Sequence, residues 1–86
     1  MRMRIFTNEV LKEEDLDYTR WETFNGDYVN VSDVGSTYIE RCLDTLAMFT
    51  ERYPNHPNYS IWMRYIRIFE QELFSRDTHS ISNMLA

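Results

Sequence analysis

The sequence predicts an α+β fold, mostly α, in which a short two-stranded β-hairpin leads into an antiparallel two-helix hairpin. Three observations carry that prediction. Strand-forming residues flank an Asn25-Gly26 turn, an apolar stripe at helical spacing runs from Tyr38 to Tyr53, and a second stripe follows a loop bounded by Pro54 and Pro57.

The hairpin is placed at residues 20–32, with Trp21, Thr23, Tyr28, Val29 and Val31 as strand formers. A two-residue turn at Asn25-Gly26 would pair Phe24 with Asp27 and set Trp21 on the face opposite Val29 and Val31. A three-residue loop over 24–26, with Gly26 in the left-handed region, pairs Trp21 with Val29 instead. That register gathers Trp21, Val29 and Val31 on one face, and because one face must be buried it is the one expected.

The first helix is expected over residues 34–53. At 100° per residue, Tyr38, Ile39, Cys42, Leu43, Leu46, Phe49 and Tyr53 fall on one arc, and Glu40, Arg41, Asp44, Glu51 and Arg52 on the other. Ser32, Asp33 and Ser36 are candidate caps, and Thr37 with Glu40 fits a capping box. Tyr53-Pro54-Asn55-His56-Pro57 ends the helix, since proline lacks a donor and restrains the residue before it. So short a connection makes the next helix an antiparallel neighbour.

The second helix is expected over 58–76, with Trp62, Tyr65, Ile66, Phe69 and Leu73 as its central stripe. Ile61 and Ile68 lie on one flank, Tyr59, Met63 and Phe74 on the other. Ser60, Arg64, Arg67 and Gln71 make the polar strip. A helix apolar around most of its circumference needs cover on several sides, which predicts a homo-oligomer or a partner groove. Residues 77–86 read as a polar, loosely held tail in which Ile81, Met84 and Leu85 are available to dock on a neighbour.

Length and composition set the class. Eighty-six residues make one domain, and 43% apolar with 27% charged residues is globular. One cysteine excludes an internal disulfide framework, and no run approaches the roughly 18–20 apolar residues of a membrane span. With no secretory pattern, a cytoplasmic protein is expected. The net charge of −5 disfavours direct DNA binding. Much of that charge sits in the N-terminal segment 1–19, where residues 9–17 carry Glu9, Glu13, Glu14, Asp15 and Asp17 against Lys12. Such a block can dock on a basic partner. The plainer reading is a solvated turn or connector with Leu11, Leu16 and Tyr18 touching the core.

Chemistry-bearing residues are few. Cys42 lies on the core arc of its helix and reads as buried and inert, because a thiol nucleophile needs an exposed, electropositive setting and a nearby histidine. His56, His79 and Cys42 share no ligand spacing, so no metal and no cofactor are expected. Glu13-Glu14 and Glu70 with Glu72 do not resemble a buried acid/base pair. Asn58-Tyr59-Ser60 matches a glycosylation sequon without a secretory signal to give it meaning. The constellation with binding potential combines arginine and aromatic residues: Arg64 and Arg67 as phosphate forks, with Trp21, Tyr59, Trp62 and Tyr65 as π faces. Trp62 and Tyr65 are central to the apolar stripe and read first as core.

The stretch from Trp21-Glu22-Thr23-Phe24-Asn25-Gly26 through Val34, continued by Thr37-Tyr38-Ile39-Glu40-Arg41-Cys42, resembles small tailed-bacteriophage proteins. In those, a Trp-x-Thr-x-x-Gly hairpin leads through an Asp-Met pair into a helix with a His-[Ile/Leu]-x-Asn run. Their second helix often reads like Ile68-Phe69-Glu70-Gln71-Glu72-Leu73-Phe74-Ser75-Arg76. The likeness spans roughly residues 20–76. Val34, Tyr38 and Arg41 stand where Met, His and Asn are usual, so no polar role of that His and Asn carries over. The resemblance implies a phage accessory protein, a group that often inhibits host machinery or defence.

The expected function is therefore non-enzymatic: binding and inhibition of a host protein, through Glu13, Glu14, Asp15, Asp17, Tyr59, Arg64 and Arg67. The alternative is a small oligomer that sequesters a nucleotide messenger near Arg64 and Arg67.

Overall fold

The computed structural model describes residues 5, 10–23 and 25–85, with side chains described as far as Arg76. Strands β1 (Arg20–Glu22) and β2 (Tyr28–Asn30) form an antiparallel hairpin, followed by helices α1 (Ser36–Arg52) and α2 (Tyr59–Leu85). Short 3₁₀ turns at Glu13–Asp15 and Val31–Asp33 precede β1 and follow β2.

The hairpin adopts the three-residue-loop register. Arg20 pairs with Asn30, Trp21 with Val29 and Glu22 with Tyr28. Thr23 N–H donates to the Asp27 carbonyl at 2.7 Å, and Gly26 sits at φ 88°, where a Cβ would be strained. Trp21 and Val31 are buried and Val29 is half-buried, so the face expected to be apolar is the one that packs.

The two helices lie antiparallel, joined by the short 53–58 link. Ile39, Cys42 and Leu46 of α1 meet Ile61, Trp62, Tyr65 and Phe69 of α2 in one core with Trp21, Val31 and Ile5. Aromatic edges fill its centre: Trp21 stands T-shaped to Tyr65 at 5.0 Å and to Phe69 at 5.1 Å. Among the described side chains of α2, Phe74 is the large apolar one left exposed. The hairpin, α1 and the N-terminal segment cover most of the apolar surplus within a single chain. Leu11, Leu16 and Tyr18 pack half-buried against the core, as expected for a connector.

Three details depart from the sequence pattern. Helix α1 starts at Ser36 behind Gly35, and no side chain caps it. Two of the candidate caps are engaged elsewhere: the Asp33 carboxylate accepts from the Asn30 amide at 3.2 Å, and Ser36 Oγ accepts from Arg76 Nη1 at 3.0 Å. Second, α2 does not stop at Arg76 but continues to Leu85 in place of the expected loose tail. Nothing between Asp77 and Leu85 breaks a helix, since neither proline nor glycine occurs there. Third, Val34 and Tyr53 fall outside α1, and Asn58 lies just before α2.

Asn58 is the polar residue of the core. Fully buried, it accepts the Leu11 N–H on Oδ1 at 3.0 Å, and its own N–H donates to His56 Nδ1 at 3.0 Å. It ties the N-terminal segment to the start of α2 and cannot carry a glycan in the folded chain. Asn58→Ala leaves the Leu11 N–H without its acceptor and is expected to destabilise the fold by about 1–3 kcal/mol. Urea denaturation measures the loss, and faster hydrogen exchange at the Leu11 amide locates it.

Candidate functional site

The seven residues singled out in the sequence fall on two elements that meet at Tyr18. Glu13, Glu14 and Asp15 make up the first 3₁₀ turn and are all exposed, three acids presented by one turn of backbone. Asp17 follows, held by the Thr19 N–H at 3.0 Å and by the Thr19 hydroxyl. Those two hydrogen bonds, ahead of the nearby Arg20 charge, pull its carboxyl below the ordinary value. Arg20 Nε approaches Asp17 at 4.0 Å, with both side chains more than half exposed, a loose pair of little energetic weight.

On α2, Arg64 and Arg67 are three residues apart and share one exposed face. Tyr59 stands half-buried on the first turn of that helix. With Tyr18, Met63 and Ile68 these residues line an open groove of about 710 Å³. Arg67 pairs with no acid among the described residues.

Tyr18 links the two sets, which sequence reasoning did not anticipate. Its hydroxyl donates to Glu13 Oε1 at 3.1 Å, and the Arg64 guanidinium lies over its ring, 4.4 Å from the centroid. Its other neighbour is Tyr65, at 5.0 Å between ring centres. Burial first, then the Glu13 carboxylate, pushes the Tyr18 phenol up to about 12, so it remains a hydrogen-bond donor across the physiological range. Acidic turn, phenol and arginine strip thus form one continuous surface. The available signal was an aromatic residue directly after an acidic block and before a strand.

The structure separates the remaining aromatic residues from this surface. Trp21 and Trp62 are 1% exposed and Tyr65 is 4% exposed, so all three are core rather than π platforms. Their polar atoms are committed inside the fold: Trp21 Nε1 donates to Tyr38 Oη at 3.1 Å, Trp62 Nε1 to the Ile5 carbonyl at 2.7 Å, and Tyr65 Oη to the Arg20 carbonyl at 2.9 Å. Cys42 is also buried, and burial raises its thiol to about 11, far from a thiolate nucleophile. His56 stacks on Trp62 at 4.8 Å, while His79 lies outside the described side chains. No group of three metal-ligating residues occurs among the described residues. Nor is any described helix long and apolar enough to cross a membrane.

A second concavity is lined by residues of the 13–17 segment and of the hairpin, with a volume of about 240 Å³. Arg20, Glu22 and Tyr28 of the hairpin contribute to it, and none of them was singled out in the sequence. The period-two alternation that buries Trp21 necessarily turns Arg20 and Glu22 outward, and that was the legible signal.

Fold and surface together define a small α+β domain with a charged, aromatic face. No protein-family model, curated protein or solved structure matches this chain.

Proposed function

We propose that this chain is a non-enzymatic accessory protein that acts by binding a protein partner through the face centred on Tyr18. The supporting observation is the continuity of that face: Glu13, the Tyr18 phenol, Arg64, Arg67 and Tyr59 follow one another without a buried break. Aromatic and arginine side chains flanked by acids are the composition of interface hot spots, and mixed charge favours register over raw affinity. The resemblance supplies the biological setting: a phage or prophage protein in the host bacterial cytoplasm, inhibiting a component of host defence or of nucleic-acid processing.

Capture from host lysate at low salt is the test. The wild-type chain is expected to retain a stoichiometric protein partner, released as salt screens the contacts. Arg64→Ala/Arg67→Ala is expected to lose that partner while remaining folded, since both side chains are exposed and the Arg64–Tyr18 contact is a small part of the stability. Capture of nothing overturns the reading, and undiminished capture by the double variant overturns its placement on this face.

The groove itself favours one alternative. Its volume lies within the roughly 300–1,000 Å³ of small-molecule sites, and two arginines beside two tyrosines suit a nucleotide. Calorimetry against cyclic nucleotides separates the two readings. Light scattering tests the accompanying expectation of self-association, for which exposed Phe74 is the apolar candidate on α2. If Phe74 joins copies, Phe74→Ser is expected to lower the mass in solution.

A further inference from the structure

We propose that the groove lined by Arg64 and Arg67 seats a short acidic segment of the protein partner, with one carboxylate on each guanidinium. This rests on the protein-binding reading above and names the chemistry that the face selects.

Charge selects the side chains of the occupant. Among the described residues that line the groove, the charged ones are Arg64 and Arg67, on a chain whose net charge is −5. The Arg64 guanidinium is already placed over the Tyr18 ring, and its edge stays open to a carboxylate without loss of that contact. Arg67 stands exposed one turn further along and pairs with no acid among the described residues. Each guanidinium forks onto a carboxylate through two parallel hydrogen bonds. Acids at alternate positions of an extended chain point the same way about 6.6 Å apart, close to the spacing of about 5–6 Å between side chains three apart on a helix. Half-buried Tyr59, Met63 and Ile68 give an apolar floor for the methylene stems of glutamate.

Continuity selects a peptide over a small anion. A third concavity, of about 500 Å³, shares Tyr18, Ile68 and Gln71 with the groove, so the two run on along α2 from Tyr59 to Ser75. That stretch of helix is about 24 Å long, the reach of about seven residues in extended conformation. Its second half presents the hydroxyls of Thr19, Ser32 and Ser75, and a Glu72 carboxylate that accepts from Arg76 Nε at 3.1 Å. Such a lining offers hydrogen bonds to a peptide backbone and no described cation to a phosphate. A nucleotide would fill the arginine end alone, whereas a peptide with its acids at that end uses both halves. The net −5 repels a long polyanion such as DNA and leaves a short segment, held by local contacts, as the occupant.

The test is amide NMR on the full chain with the peptide acetyl-Glu-Ala-Glu-Ala-Ser-Ala-Ser-amide, and with its neutral isostere carrying glutamine for glutamate. Saturable shifts are expected at the Tyr59, Met63, Arg67 and Gln71 amides and as far as Ser75 with the glutamate peptide, and none with the glutamine one. Arg67→Ala removes an exposed charge and is expected to weaken the glutamate peptide about fivefold. The comparison of the two peptides needs no variant at all. Equal shifts from both peptides, no saturable shift, or undiminished binding by Arg67→Ala overturn the proposal. So does cyclic AMP bound at the same amides and not displaced by the glutamate peptide, which assigns the groove to a nucleotide. Shifts there that grow with protein concentration alone assign it to a second copy and overturn the proposal as well. A captured partner that excess glutamate peptide fails to release refutes the acidic segment while leaving the Tyr18 face standing. Peptide binding by a chain that captures no protein refutes the protein-binding reading, and the proposal with it.

Discussion

Trp62→Ala is expected to lower the unfolding free energy by about 3–5 kcal/mol, the range for removing a large aromatic residue from a packed core. The side chain is 1% exposed and touches three different parts of the chain. Its ring stands T-shaped to Phe49 of α1 at 5.5 Å and stacks on His56 of the link at 4.8 Å. Its indole N–H donates to the carbonyl of Ile5, fifty-seven residues away in sequence, at 2.7 Å. Alanine therefore opens a cavity and leaves that carbonyl without its donor in the same stroke. For a domain of this size, with a total stability of roughly 4–13 kcal/mol at 0.05–0.15 kcal/mol per residue, the loss is a large share of the whole. Trp62→Phe separates the two contributions. It keeps most of the ring volume and removes the donor, so a smaller loss of about 1–3 kcal/mol is expected. Urea denaturation followed by the fluorescence of Trp21, itself buried, reports both variants. A loss below about 1 kcal/mol for alanine would show that the indole is not seated as described.

The contrast between Trp62 and Trp21 shows which parts of this fold a sequence can disclose. The Trp21–Val29 register was legible because turn chemistry and alternation act within ten residues: Gly26 permits the left-handed loop residue, and only one register puts Trp21 beside Val29 and Val31. The helical stripes were legible for the same local reason, and Trp62 was correctly placed in the core. Its partner Ile5 was not foreseeable, because no pattern links a single backbone carbonyl to an indole so far along the chain. Asn58 is a sharper case. Next to Pro57 it reads as a polar loop residue or a sequon, yet it is fully buried because the Leu11 N–H arrives from forty-seven residues away. The caps of α1 misled for a related reason, since Arg76 takes Ser36 Oγ as an acceptor across forty residues. At the candidate site, residue types were readable one by one. Their assembly was not, because it depends on Tyr18 crossing beneath Arg64, a contact made by tertiary packing.

Raising the pH is expected to destabilise the fold steeply from about 9 upward, and the sign follows from four buried or half-buried acids, Cys42, Tyr65, Tyr18 and Tyr38, all raised by burial. Burial holds the Cys42 thiol at about 11 against an ordinary 9 and the Tyr65 phenol at about 12 against an ordinary 10. In the unfolded chain both groups release their protons near the ordinary values, whereas the folded chain retains them. The native state then binds more protons than the unfolded state, so stability falls as pH rises. The contribution of Cys42 is whole below pH 9 and lost as pH climbs through about 11; that of Tyr65 is whole below 10 and lost through about 12. Both displacements act in the same direction, so the loss deepens as pH climbs. Tyr18, raised in the same sense, steepens the decline. Asp17 acts at the opposite end: its lowered value favours the fold above the ordinary carboxylate range and gives that up as pH falls. Denaturant unfolding at a series of pH values under reducing conditions reads the slope directly. Cys42→Ala is expected to flatten the segment between pH 9 and 11. Tyr65→Phe removes the phenol's share of the decline above pH 10, and it costs about 1 kcal/mol at neutral pH for the hydrogen bond to the Arg20 carbonyl. A wild-type stability that stays level from pH 9 to 11 would place the Cys42 thiol in water, contrary to a helix face that closes over it with Ile39 and Leu46.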